Sequence, residues 1–201
     1  MDETGEKATV TILLLGDPGC GKSTFLSRLK TLKPSPPSQA KGEPKEPLQL
    51  LHDSNQPFVY DIRFSKKSFR LEFYDTASPN QHWTTLQPDV VLLAFDISNR
   101  ATLDGLKGWR NDITRYFQSG AGERIPVMII GLKRDLREEN DNIIYPQESY
   151  RIAQELHCDC YAECSAVTGE LMAETFEDIA KTAAMTTTAS GGQSAGGCTI
   201  L

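Results

Sequence analysis

The sequence predicts an α/β domain of three layers, built on a six-stranded, mostly parallel sheet with one antiparallel strand. Three observations predict it. Apolar runs of strand character alternate with stretches of helical spacing from residue 9 onward. Two of the runs, 58–64 and 69–74, flank the short polar stretch Ser65-Lys66-Lys67-Ser68 and read as a hairpin. The length, 201 residues, suits one domain or at most two.

The elements follow in order. Residues 9–15 are β-branched and leucine-rich and end at Gly16, as a buried strand does. Residues 23–32 place Phe25, Leu26 and Leu29 on one side of a helix. Residues 33–47 interrupt the pattern with Pro34, Pro36, Pro37, Pro44 and Pro47, which reads as a mobile loop. After the hairpin, 90–97 is a second buried strand, and 102–117 is a helix weakened by Gly105 and Gly108. Residues 125–130 form a strand ending at Gly131. Pro146 opens a helix to about Leu156, a position that suits proline. Residues 160–164 are a short strand, and 170–185 a last helix with Leu171, Phe176, Ile179 and Ala180 as its apolar stripe. Residues 190–197 are rich in glycine and serine and read as flexible. No internal repeat is present.

Composition narrows the function. With 21 basic and 27 acidic side chains the net charge is −6, which argues against a nucleic-acid-binding domain. No apolar run approaches the roughly 18 residues a membrane-spanning helix needs. The polar, acidic start has no apolar segment of a secretory signal. Five scattered cysteines fit a reducing compartment better than a disulfide scaffold.

The strongest motif is Gly16-Asp17-Pro18-Gly19-Cys20-Gly21-Lys22-Ser23. It matches G-x-x-x-x-G-K-[ST] and lies between a predicted strand and a predicted helix, the context that supports a phosphate loop. Glycines let backbone N–H groups wrap a phosphate, and the helix N-terminus adds positive potential. Lys22 would reach the β- and γ-phosphates, and the Ser23 hydroxyl would bind Mg²⁺. Asp135 has its own argument: one carboxylate accepts both N1–H and the N2 amino group of guanine, a donor pair that adenine lacks.

Four stretches in this order resemble the Ras superfamily of small GTPases: the phosphate loop, Asp75-Thr76-Ala77, Gly131-Leu132-Lys133-Arg134-Asp135-Leu136, and Glu163-Cys164-Ser165-Ala166. The triplet Asp135-Leu136-Arg137, the run from Tyr161 to Ala166 and the C-terminal ending look most like the Rho branch, although the extra helix of that branch, expected after Arg137, is missing. The resemblance implies a P-loop NTPase sandwich over residues 9–184, with 1–8 a flexible N-terminus, a proline-rich insertion at about 33–57, and 185–201 a flexible tail. It implies GTP and GDP as ligands and assigns nucleotide contacts to Gly19, Cys20, Gly21, Lys22, Ser23, Thr24, Lys133, Asp135, Ser165 and Ala166. Ser23 and Asp75 are the implied Mg²⁺ ligands. Lys133 would lie along the base, and the backbone of Ser165 and Ala166 would meet O6. Exchange factors, effectors and prenyl-carrier proteins are the implied partners.

Several positions depart from that pattern. Leu132 stands where a polar residue usually braces the phosphate loop. Thr-Ala-Gly-Gln is replaced by Thr76-Ala77-Ser78-Pro79, and proline has neither a polar side chain nor an N–H with which to orient water. No catalytic residue is therefore assigned, and GTP hydrolysis to GDP and phosphate should be slow. Pro18 adds bulk beside the γ-phosphate. His82 reads as a satisfied or exposed side chain. Gly16 and Asp75 lie 59 positions apart, more than the resemblance implies, and back-counting puts Asp53 or Ser54 near the usual Mg²⁺-binding threonine.

Cys198-Thr199-Ile200-Leu201 matches the C-a-a-X prenylation pattern, with a final leucine that favours geranylgeranyl. A single lipid chain anchors weakly and reversibly, so the expected location is the cytoplasmic face of a membrane, in exchange with cytosol. His157, Cys158, Cys160 and Cys164 lack a standard zinc spacing, and the cysteines read as buried structural thiols. Two other readings stay open at this point. One is a pseudo-GTPase scaffold that uses its Pro-x-x-Pro spacings to bind partners, and the other is a P-loop phosphotransferase.

Overall fold

A computed structural model describes residues 7–31, 48–51, 56–64, 67–75, 81–118, 124–140 and 142–187. The sheet has six strands: β1 Ala8–Leu15, β2 Phe58–Phe64, β3 Lys67–Asp75, β4 Val90–Asp96, β5 Val127–Leu132 and β6 Cys160–Glu163, in the order β2-β3-β1-β4-β5-β6. The hairpin pairs β2 with β3 antiparallel, from Phe58 opposite Phe73 to Phe64 opposite Lys67. Every other pairing is parallel. The mostly parallel sheet with one antiparallel strand is the predicted one.

Among the described residues five α-helices cover the two faces: α1 Lys22–Thr31, α2 Arg100–Asp104, α3 Leu106–Phe117, α4 Pro146–Glu155 and α5 Met172–Thr186. Alternation along the strands explains the layering. Val10, Ile12 and Leu14 join Phe25, Leu26, Leu29, Met172 and Ile179 on one face. Leu13 and Leu15 join Leu103, Leu106, Ile113 and Ala153 on the other. β4 and β5 are buried along their whole length, which is why they read as continuous apolar runs rather than alternating ones.

The helix expected over 102–117 is two helices, and it begins at Arg100. The side chain of Asn99 caps the first by accepting from the Ala101 N–H at 3.2 Å. Gly105 lies at the junction. A Cβ on it would sit 2.9 Å from Asp17 Oδ2, so the glycine admits the phosphate loop against this face. A 3-10 turn at Gln81–Thr85 follows the sheet's β3 side and was not legible in the spacing. α5 runs to Thr186, and the chain from 188 onward, with Cys198, lies outside the described residues, as do 32–47, 52–55 and 76–80.

Candidate functional site: a phosphate loop and a base-reading edge

The phosphate loop leaves the C-terminal end of β1 and turns into α1. Gly16 makes the exit possible. Its φ is +145°, and a Cβ there would lie 2.2 Å from the Ala94 carbonyl oxygen. Gly19 and Gly21 also adopt positive φ. Lys22, which is buried, folds back so that Nζ donates to the carbonyls of Gly16 at 2.7 Å and Asp17 at 3.0 Å. The ammonium is thus held at the loop, inside the turn that a phosphate would enter. Ser23 and Thr24 follow in the first turn of α1, where N–H groups lack intrahelical acceptors. Pro18 is exposed at the crest of the loop.

Asp75 ends β3 beside this turn. The Ser23 hydroxyl donates to its Oδ2 at 2.8 Å. The backbone of Asp75 is itself held by a side chain: Gln56 Nε2 donates to the Asp75 carbonyl at 2.7 Å, and the Asp75 N–H donates to Gln56 Oε1 at 3.1 Å. Gln56 therefore acts as one more strand residue against the end of β3. Nothing in its spacing singles it out in the sequence.

The second half of the site is made by the ends of β5 and β6. Lys133 leaves β5 in the left-handed conformation, with φ 59° and ψ 41°. From there Nζ reaches the Gly19 carbonyl at 2.8 Å and Asp96 Oδ2 at 2.7 Å. One ammonium joins the phosphate loop, the end of β4 and the turn that follows β5. Leu132 is buried, and its Cδ1 would lie 3.7 Å from a Cβ on Gly21. It supplies apolar packing, and the bond to the phosphate loop comes from Lys133. Asp135 sits in the following 3-10 turn, Arg134–Leu136, and accepts from the buried Ser165 hydroxyl. The same hydroxyl accepts from the Thr168 N–H at 3.0 Å, and the Ser165 N–H donates to Glu170 at 2.9 Å. Ala166 is also buried beside it.

Two arginine contacts absent from the sequence reading hold this edge. Arg137 donates to both oxygens of the nearly buried Glu163 carboxylate and, through Nε, to the Ile144 carbonyl at 3.0 Å. Arg28 of α1 donates to the carbonyls of Ala166 and Val167. A third missed contact runs from Trp109 Nε1 to Asp17 Oδ1 at 2.8 Å, tying the phosphate loop to α3. Burial, the largest influence, raises the Cys20 thiol against the opposing pull of Lys22, so the loop cysteine stays protonated near neutral pH.

The structure thus brings together ten predicted residues, Gly19 to Thr24 on one side and Lys133, Asp135, Ser165 and Ala166 on the other, with Lys133 spanning the two groups. Ser78, Pro79, Asp53 and Ser54, together with the side chain of His82, lie outside the described residues. A family model described as the Ras family matches residues 53–185, well over half of the chain. The chain belongs to the Ras family. Its sequence is 29% identical to the Ras-like GTP-binding protein RHO1 of Entamoeba histolytica over 182 residues, covering 87% of this chain and 76% of that protein. It is 26% identical to the GTP-binding protein RHO2 of Saccharomyces cerevisiae, over 85% of this chain and 87% of that protein. It is 26% identical to the Rho-related protein racM of Dictyostelium discoideum, over 86% and 89% of the two chains. This Ras-family chain is a small GTPase of the Rho/Ras type, and proteins of that family bind GTP and GDP with Mg²⁺. No helix among its described residues is long and apolar enough to cross a membrane.

Proposed function

We propose that this chain binds GTP and GDP with Mg²⁺, hydrolyses GTP slowly, and is prenylated at Cys198 for reversible attachment to the cytoplasmic face of a membrane. The observation that carries the nucleotide reading is the Lys133 bridge. A single side chain sets the spacing between the phosphate loop and the turn bearing Asp135, and Asp135 is oriented by Ser165. A carboxylate held in that way accepts the paired donors of guanine and repels the acceptor edge of adenine.

Ser23 and Asp75 fit a hard divalent cation. They offer a hydroxyl and a carboxylate oxygen 2.8 Å apart at the N-terminus of α1, and Gln56 fixes the aspartate's backbone. Mg²⁺ there would neutralise phosphate charge. Lys22 would exchange its two loop carbonyls for phosphate oxygens, which are stronger, charged acceptors. Slow hydrolysis rests on the chemistry of Pro79, which offers no polar group for water. The lipid reading rests on the Cys198-Thr199-Ile200-Leu201 ending. Exchange factors, effectors and a prenyl carrier are the partners that the reading implies.

The test is to purify the protein from cells with Mg²⁺ present, denature it, and identify released nucleotide by chromatography. Bound GTP is the expected result. Bound GDP would mean that hydrolysis survives without the glutamine. An empty protein that also takes up no added GTP or GDP would overturn the nucleotide reading and favour an interaction scaffold. Intact mass then reads Cys198 directly: an unmodified C-terminus in cells would remove the lipid part alone.

A further inference from the structure

We infer that Arg28, on α1 and remote in sequence from the base-reading turns, is a positioning residue for guanine recognition, acting by orienting the backbone of Ala166 and Val167. The inference rests on the nucleotide reading above and names a determinant that the reading does not contain.

Arg28 is 7% exposed, an expensive place for a permanent cation. Among the described residues it has no ion pair with a carboxylate. It makes its bonds to two consecutive main-chain carbonyls instead: Nε to Ala166 and Nη2 to Val167, the latter at 3.3 Å. The guanidinium fork suits this task because its donors are fixed in one plane. A lysine would offer a point charge whose three donors rotate and are not fixed in one plane.

The consequence follows from peptide geometry. In a trans peptide the carbonyl and the next N–H point to opposite sides. With both carbonyls drawn toward α1, the N–H of Val167 is turned away from it. The preceding peptide is fixed from the other end, because Ser165 is held by Glu170, Thr168 and Asp135. Ser165 to Val167 is therefore clamped between Arg28 behind and Asp135 in front; the Ser165 N–H is spent on Glu170, and the N–H groups of Ala166 and Val167 are the donors the stretch offers. A donor row beside the Asp135 acceptor is the complement of guanine, which presents O6 as an acceptor next to N1–H and the N2 amino group. Adenine presents a donor where O6 would be. Without Arg28, the buried Ala166 carbonyl and the part-buried Val167 carbonyl lose their donors, and the loop has reason to rotate toward water.

The experiment measures dissociation of GDP, IDP, 2-aminopurine riboside diphosphate and ADP from the full chain with Mg²⁺, for wild type, Arg28→Ala and Arg28→Lys. IDP keeps O6 and lacks the N2 amino group. The 2-aminopurine nucleotide keeps the amino group and lacks both O6 and N1–H. We expect Arg28→Ala to weaken GDP and IDP by about tenfold, the size expected for one well-placed hydrogen bond. The 2-aminopurine nucleotide should change less than about twofold by the same reasoning. Arg28→Lys, which keeps charge and most of the packing, should fall between and should fold if the alanine variant does not. Equal weakening of all nucleotides by either variant would make Arg28 a purely structural residue and overturn the inference, as would no weakening at all. Wild type binding GDP and ADP equally would instead overturn the nucleotide reading itself.

Discussion

At the scale of single residues, the thiols and Pro79 make the clearest claims. Burial pushes Cys158 and Cys164 up to about 12 from the usual 9.0. The thiolate is the nucleophile, so both should be nearly inert at pH 8. Iodoacetamide labelling followed by peptide mapping should show them alkylated far more slowly in the native chain than in urea. The linkage has a definite sign. Below pH 9 these groups do not affect stability. Between pH 9 and 12 the unfolded thiols ionise and the buried ones do not, so stability should fall as pH rises, read by denaturant melts at pH 8, 9 and 10. Rapid native labelling would mean that the β6 region opens readily. Pro79 is a claim about chemistry. Ser78→Gly with Pro79→Gln restores a water-orienting amide, and single-turnover phosphate release should rise by tenfold or more, in line with general effects of positioning groups of about 10²–10⁴. An unchanged rate would assign the defect to Pro18 or to the segment around Asp53.

At the scale of elements, the 3-10 turn Gln81–Thr85 is anchored to α3 through Trp83. Trp83 is 7% exposed and packs against Trp109, Tyr116 and Phe117 of α3, with ring centroids at 6.2, 5.4 and 5.9 Å. Trp109 in turn donates to Asp17 of the phosphate loop. The turn, α3 and the loop are thus neighbours through two indoles. Trp83→Ala should cost about 3 kcal/mol, the lower range for truncating a buried tryptophan, in urea unfolding monitored by far-UV circular dichroism. A cost under about 1 kcal/mol would show that the turn detaches without consequence for the core. The split of one predicted helix into α2 and α3 belongs to the same scale. Gly105 permits the loop's approach, and a helix-spacing argument has no access to a contact 88 residues away in sequence, from Asp17 to Gly105.

At the scale of the whole molecule, the site is assembled from the C-terminal ends of β1, β3, β5 and β6 and the first turn of α1. Nucleotide binding should therefore stabilise the entire domain. Free nucleotide at 100 times its Kd adds about 2.7 kcal/mol, which for a domain of this size corresponds to roughly 5–10 °C in Tm. Differential scanning fluorimetry with GDP and Mg²⁺ should show that rise, and EDTA should reverse most of it. A Tm indifferent to GDP would deny that the ends of these strands form a nucleotide site.

Asp75, Lys133 and Ser165 were singled out through the family resemblance; the sequence by itself determined the sheet, its one antiparallel edge and the phosphate-loop motif between strand and helix. These were legible because each rests on local information: strand runs, a glycine-lysine-serine motif between strand and helix, and short polar turns after apolar strands. Tertiary structure alone decided the contacts that hold those residues in place. Lys133 meets Gly19 and Asp96, Gln56 pairs with the backbone of Asp75, Arg137 grips Glu163, and Arg28 reaches Ala166 from a helix 138 positions away. None of these partners stands at a fixed offset from its mate. Each bond exists because parallel strands deliver their ends to one edge of the sheet, where buried polar groups must find whatever donor or acceptor the fold has brought within reach.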